Sequence, residues 1–198
     1  MADSRVRLSK AFAFLVTDKF SFLCSEFGYK QLDARYPNVE LSHGGCCSLR
    51  FGNAKAKICL DIILDFETYR VDVIILKSVH GTFVEHSVWG QSAKAAAIIL
   101  SALVSWRNKT SFAHDLLPHS LPSISWSEKQ RRLLVRRAVI NERLNDVVQS
   151  AAADLAEFAP EILAGDTIMF SEVQAFYRQQ QNVTLSPDGR RVELAVGN

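Results

Sequence analysis

The sequence predicts an α+β fold, and three observations lead to this prediction. Apolar residues recur at helical spacing near the N-terminus, β-rich segments with alternating faces follow one another between residues 47 and 76, and helical patterns return after residue 126. Short connections between the β-rich segments favour an antiparallel meander. The chain has 198 residues, 48% of them apolar, which is enough for one large core.

The first predicted element is a helix over residues 5–27. The apolar residues on its stripe are Leu8, Phe12, Leu15, Phe22, Leu23 and Phe27. A break is expected near Asp18, and Gly28 follows the last periodic residue, where a left-handed C-cap forms most easily. Tyr36-Pro37-Asn38 then marks a turn.

Three strands form the predicted meander, over residues 47–51, 57–64 and 69–76. One face of the middle strand carries Ile58, Leu60, Ile62 and Leu64, and the other carries Cys59, Asp61, Ile63 and Asp65. Successive side chains point to opposite faces of a strand. The first face is therefore expected to pack on the core, and the second to be at least partly wet.

A buried helix is predicted from Ala93 to Trp106, with Ser92 as its N-cap, because this stretch is apolar on most sides. The longest apolar run, between Lys94 and Arg107, is shorter than the roughly 20 residues that a membrane span requires. The helix is therefore expected inside protein, and no membrane partner is predicted.

The predicted organisation has three parts: an α+β core over residues 1–110, a linker or crossing loop over 111–126, and a helical region over 127–198 that packs on the core. The middle part contains Pro118 and Pro122 and shows little periodicity.

Capping boxes begin two helices of the C-terminal region, at Ser127 and at Ser171. Between them, Pro160 starts a short helix that Gly165 ends. The turn around residues 187–189 predicts a terminal β-hairpin.

Composition bounds the class of protein. The net charge is only +2, which supplies no general field for nucleic acid or anionic lipid. No secretion signal is evident, and four irregularly spaced cysteines do not make a disulfide framework, so a cytoplasmic, reduced chain is expected. No nucleotide, nucleophile-elbow or metalloprotease motif is present, and neither a cofactor nor a catalytic residue is predicted.

Carboxylates on the second face of the meander are the first candidate site. Asp61 and Asp65 share that face, and Asp72 approaches them across the hairpin. Such a group could serve acid–base or Mg²⁺ chemistry, or could dock on a basic partner as a mimic of a phosphate backbone. The alternative is a solvated sheet face beside basic residues.

Basic residues at the start of the long helix are the second candidate. On a helix, Arg132, Arg136 and Arg143 lie within about 40° of one another. They could meet phosphates or an acidic protein, or form a solvated face whose stems cover apolar surface. From residue 144 onward, eight acidic residues outnumber three basic ones, so charge is segregated along the C-terminal region.

Thiols and imidazoles form a third group. His43 precedes Cys46 and Cys47, but adjacent cysteines in a strand point to opposite faces, which argues against zinc. A nucleophilic pair of one of these thiols with His80 or His86 stays an alternative, although packed thiols are the ordinary interpretation.

The run from Phe20 to Tyr29, followed by Leu49-Arg50-Phe51 and Val71-Asp72-Val73, resembles a motif of small uncharacterised bacterial proteins, some similar to immunity proteins of toxin systems. The resemblance covers residues 1–77. Because immunity proteins act by occlusion, it implies a non-enzymatic, cytoplasmic module that binds a partner protein, such as a toxin domain, through charged surface. Nucleic-acid binding and an enzyme with a carboxylate or Cys-His site are the alternatives.

Overall fold

The computed structural model describes residues 2–35, 46–66, 70–78, 97–108, 126–181, 183–185 and 191–193. The helices are α1 Ala2–Lys19, α2 Ser21–Ser25, α3 Leu100–Asn108, α4 Trp126–Phe158, α5 Pro160–Leu163 and α6 Phe170–Gln181. The strands are β1 Lys30–Arg35, β2 Cys46–Asn53, β3 Ile58–Asp65, β4 Arg70–Lys77, β5 Ala97–Ile99, β6 Val183–Leu185 and β7 Arg191–Glu193. This is the predicted α+β class.

The central sheet confirms the predicted meander and extends it at both edges. Five antiparallel strands lie in the order β1-β2-β3-β4-β5, which is also their order along the chain. The three predicted strands are β2, β3 and β4, each within one or two residues of its expected bounds. Strand β1 was not predicted because its sequence, KQLDAR, is mostly polar and contains no β-branched or aromatic residue. A bulge also interrupts its pairing between Gln31 and Asp33.

One face of the sheet packs on the helices. Leu60 and Ile62 of β3 share a buried cluster with Phe12 of α1, with Leu103 of α3 and with Leu155 of α4. These side chains come from both ends of the chain, so residues 1–110 and the helical region build the same core.

The N-terminal helix is interrupted at Phe20, two residues after the predicted position. Phe20 has φ −98° and ψ 14°, and its side chain is fully buried. The interruption directs the side chains of Phe20 and Leu23 into the same core. Gly28 adopts φ +70°, which confirms the predicted left-handed cap.

The predicted helix over 93–106 is corrected by the structure. Residues 97–99 form strand β5, and helix α3 begins only at Leu100 and reaches Asn108. Ile98 and Ile99 are β-branched and pair with Ile75 and Ile74 of β4, a contact that local helix propensity does not register. The helix is buried as expected, through Leu100 and Leu103 among others. Ser92 and residues 93–96 lie outside the described residues.

The C-terminal predictions hold with one correction. Helices α4 and α6 begin at Trp126 and Phe170, one residue before the serines that were expected to cap them. Strands β6 and β7 pair antiparallel, which confirms the terminal hairpin. The turn at 36–38, the linker over 111–125 and the turn at 187–189 lie outside the described residues. Within the described chain, no helix is both long enough and apolar enough to cross a membrane.

Candidate functional site

Asp61, the first residue of the predicted acidic stripe, lies inside the sheet. Its side chain forms a two-pronged ion pair with Arg50, whose Nε and Nη2 donate to Oδ1 and Oδ2 at 2.6 and 2.7 Å. The β2–β3 register places these two residues directly opposite each other. The Asp61 carboxylate neutralises the Arg50 guanidinium of the neighbouring strand. Because Asp61 is only 1% exposed, it presents almost no surface to a partner.

Asp65 and Asp72 lie on the same face of the sheet as Asp61. Asp65 lies opposite Arg70 at the end of the sheet, and Asp72 lies opposite Ile63. Both are half-buried, and each has interactions of its own. The register therefore places the three carboxylates on one face of the sheet, and their binding of a partner stays a prediction.

The second face of the sheet is drier than predicted. Its buried apolar residues are Cys59, Ile63, Ile74 and Leu76. The expectation of a partly wet face rested on the aspartates, but the branched side chains between them require burial as well. Asp61 is thus part of the fold, whereas Asp65 and Asp72 keep partial exposure.

The arginine face is only partly described. Arg143 is exposed on α4, whereas the side chains of Arg132 and Arg136 lie outside the described part of the chain. Further along α4 the exposed charged residues are acidic, including Asp146 and Glu157. Nucleic-acid binding through the three arginines stays a prediction.

Two of the four cysteine thiols are buried. Desolvation by burial raises the pKa of Cys47 to about 11 and that of Cys59 to about 12, so both thiols are neutral near pH 7. Cys24 and Cys46 are exposed. All five histidines lie outside the described residues, so the predicted Cys-His pair stays a prediction. In the described ranges, no group of three His, Cys, Asp or Glu side chains could hold a metal ion.

An open groove of about 370 Å³ runs between α2 and α4. Its lining residues are Lys19, Phe22, Glu26, Gln149, Ala152, Ala153 and Ala156. Lys19 pairs with Asp18 at 3.1 Å. The groove is a helix–helix seam lined by three alanines and by larger, mostly polar side chains.

A different surface forms where the α5–α6 connection meets one end of the sheet. Ile168, between α5 and α6, is 81% exposed. Its backbone N–H donates to Asp166 Oδ1 at 2.9 Å, and the Asp166 N–H donates to the Glu161 carbonyl at 2.9 Å. Leu163 before this loop and Phe170 after it are buried. Ile168 is therefore an apolar side chain displayed on an anchored loop.

The β2–β3 turn is anchored in the same way. Asn53 Oδ1 accepts the N–H groups of Lys55 and Ala56, and its Nδ2 donates to the Phe27 carbonyl at 2.6 Å. The Lys57 carbonyl accepts the Ser78 N–H at 2.8 Å. These bonds tie the turn to the helix end before β1 and to the end of β4.

The two loops touch. A Cβ atom built on Gly165 would lie 3.1 Å from the Ala56 carbonyl oxygen. Lys77, beside Ser78, places its Nζ 5.7 Å from the centre of the Phe170 ring. We name the surface made by residues 53–57 and 164–169 the loop platform.

Exposed charged side chains lie on both loops of the loop platform and beside it. Lys55 and Lys57 are exposed on the β2–β3 turn, whereas Asp166 and Glu172 are exposed on the loop and at the start of α6. Glu161 pairs with Arg107 at 3.0 Å. A hydrogen bond from its own backbone N–H, with a contribution from Arg107, lowers the pKa of the Glu161 carboxyl.

Sequence reasoning did not single out Ile168. An isolated isoleucine between two helices is normally a core residue, and the residues that hold it outward are separated from it in sequence or act through backbone atoms. The one available signal was Gly165, predicted to end a helix. Its φ of +107° confirms a backbone turn at that point.

Comparison with known protein families, curated protein sequences and solved structures finds no match to this chain. Its function has to be argued from its own surfaces.

Proposed function

We propose that this chain is a non-enzymatic, cytoplasmic protein-binding module that neutralises a partner, such as a toxin domain, by occlusion. The observation that carries the proposal is Ile168, 81% exposed on a loop whose backbone is bonded in place. Single exposed apolar residues are common on protein surfaces. The anchored loop and the flanking charges distinguish this one.

The physical argument concerns the free energy of binding. Burying a whole isoleucine side chain contributes about 1.5–3 kcal/mol. A loop that is already ordered does not lose further conformational freedom on association, so more of that contribution appears as affinity. An apolar anchor with a polar rim is also the usual anatomy of the strongest part of a protein interface.

The immunity-protein part of the proposal rests on the resemblance over residues 1–77. Occlusion requires a rigid surface and no reacting group, and the loop platform offers such a surface. A reducing compartment agrees with the four free cysteines, two of which are buried as thiols.

Affinity capture from the native host tests the proposal. The full chain, an Ile168→Asp variant and a Phe14→Asp control are compared, because Phe14 is a second large apolar side chain, 73% exposed on α1. We expect a partner retained by the wild type and the control, with affinity for Ile168→Asp reduced at least about ten-fold in titration calorimetry.

A growth assay tests the toxin interpretation. The product of the neighbouring reading frame is the first candidate partner. If it is a toxin, co-expression of the wild-type chain restores growth and Ile168→Asp does not. Recovery of no specific partner, or a partner that binds Ile168→Asp as well as wild type, contradicts the proposal.

A further inference from the structure

We infer that the loop platform binds a folded protein whose surface presents an apolar pocket with carboxylates on one side and basic groups on the other. This inference rests on the proposed function and specifies the partner of the same surface. The inference follows from the charges that the two loops of the platform carry.

The β2–β3 turn supplies the basic side of the loop platform. Lys55 and Lys57 are exposed, and in the part of the chain that the structure describes neither ammonium group forms an ion pair. Asn53 fixes the turn through three hydrogen bonds, so the two lysine side chains extend from a backbone that is held in place. A partner carboxylate placed opposite them would gain a charge interaction without displacing an existing one.

Carboxylates lie on the other loop of the platform and on the helix that follows it. Asp166 lies two residues before Ile168 on the same loop, and Glu172 lies in the first turn of α6. Both are exposed. The negative charge of Glu172 is favourable in the first turn of a helix, and this side calls for lysine or arginine on the partner.

The mixture of signs selects the class of partner. A nucleic acid or an anionic membrane presents one sign of charge, and the side with Asp166 and Glu172 would repel it. A folded protein can place an apolar pocket, acids and bases in the three matching positions. The observations therefore favour a protein over either polyanion.

Site-specific photocrosslinking in native-host cells tests the inference. A benzophenone amino acid replaces residue 55, 168 or 172 of the full chain, with position 14 as the control. We expect the first three positions to label one protein. Peptide mapping should place the adduct from 55 beside Asp or Glu and that from 172 beside Lys or Arg, whereas position 14 should not label that protein.

Charge-swap titrations complete the test. Lys55→Glu and Glu172→Lys should each weaken binding of the captured protein roughly five-fold. Reversing the charge of the cross-linked partner residue should restore the affinity in each case. Lys10→Glu, an equal charge change on the exposed face of α1, should leave the affinity within two-fold of wild type.

Different outcomes overturn different statements. Labelling from position 14 instead of 168, or adducts of the wrong charge type, contradicts this inference and leaves the protein-binding proposal standing. Tight binding of a 20-nucleotide oligonucleotide or of phosphatidylserine vesicles that Lys55→Glu abolishes overturns it in favour of a polyanion. If no position labels a protein and no partner is captured, both this inference and the protein-binding proposal are contradicted.

Discussion

The ion pair of Arg50 and Asp61 places two charges inside the sheet, where Asp61 lies opposite Ile74. Removing charges from water is unfavourable, and attraction between them offsets that loss only when the geometry is good. Here two short parallel hydrogen bonds join the groups. The pair is better understood as a device that fixes the β2–β3 register than as a binding site.

Replacing Asp61 by alanine should destabilise the fold. Arg50 would keep a largely buried charge without its two-pronged partner, and we expect the free energy of unfolding to fall by about 3 kcal/mol. Urea denaturation measures the change. Asp18→Ala, which removes an exposed acid paired with Lys19, should lose less than about 1 kcal/mol. Similar small losses in both variants would contradict the structural role of Asp61.

The buried thiols should make stability depend on alkaline pH. The pKa of Cys47 and Cys59 rises from 9.0 to about 11 and about 12 on folding, so above pH 9 the unfolded chain releases protons that the folded chain keeps. Each thiol then lowers the free energy of unfolding by about 1.4 kcal/mol per pH unit, until its folded pKa is reached. Below pH 9 the raised pKa of each thiol makes its full contribution to the free energy of unfolding.

Denaturation at pH 8, 9 and 10 checks the sign and the slope. Cys59→Ala should make the decline with pH less steep, whatever its effect at pH 8. At pH 8 a thiol reagent should modify Cys24 and Cys46 in the folded protein, and the other two only on unfolding. Rapid modification of all four would be incompatible with the burial of Cys47 and Cys59.

At the scale of elements, the edges of the sheet show where local pattern and tertiary pairing differ. The strands at the centre alternate clearly and were predicted. At one edge, Ala97–Ile99 belongs to an alanine-rich stretch typical of a helix, but it pairs with β4, and Gln174 Nε2 donates to the Ala97 carbonyl at 2.8 Å. That side-chain bond satisfies a backbone group at an edge strand, which reduces its tendency to pair with another chain.

The contact between the two loops of the platform predicts how a methyl group added at Gly165 changes the free energy of unfolding. Gly165→Ala should lower the free energy of unfolding by about 2 kcal/mol, because a positive φ is combined with a backbone contact at Ala56 that cannot move aside. Gly28→Ala has a positive φ but open space, and about 1 kcal/mol is expected. Thermal unfolding compares them, and a larger loss at Gly28 would contradict the close approach.

At the scale of the whole molecule, a single apolar cluster joins the sheet to helices from both ends of the chain. It contains Leu60 of β3 and Leu155 of α4, both fully buried. The charged residues, by contrast, are distributed unevenly over the surface. The fold therefore builds one shared core from the sheet and from helices of both ends of the chain.

A shared core predicts cooperative unfolding. Leu60→Ala and Leu155→Ala should each lower the free energy of the same transition by about 2–5 kcal/mol. Circular dichroism and tryptophan fluorescence should give coincident curves for both variants. Two separated transitions, each sensitive to one substitution, would show that residues 1–110 and the helical region fold independently.

Much of the candidate site escaped prediction for a definable reason. The aspartates and arginines singled out in the sequence are conspicuous because they are charged, yet Asp61 is used by the fold. Ile168, Asn53 and Gly165 carry no such signal. They become a surface only when two loops more than 100 positions apart in the chain meet at one end of the sheet.

The sequence by itself determined the fold class, the meander, the glycine turns and the amphipathic helices, because hydrophobic period and backbone preference act between near neighbours. Tertiary structure alone decided that Ala97–Ile99 is a strand, that Asp61 is buried, and that the loop of Ile168 touches the β2–β3 turn with its two lysines. Those outcomes depend on contacts between distant segments, whose free energies exceed the local preferences that a sequence displays.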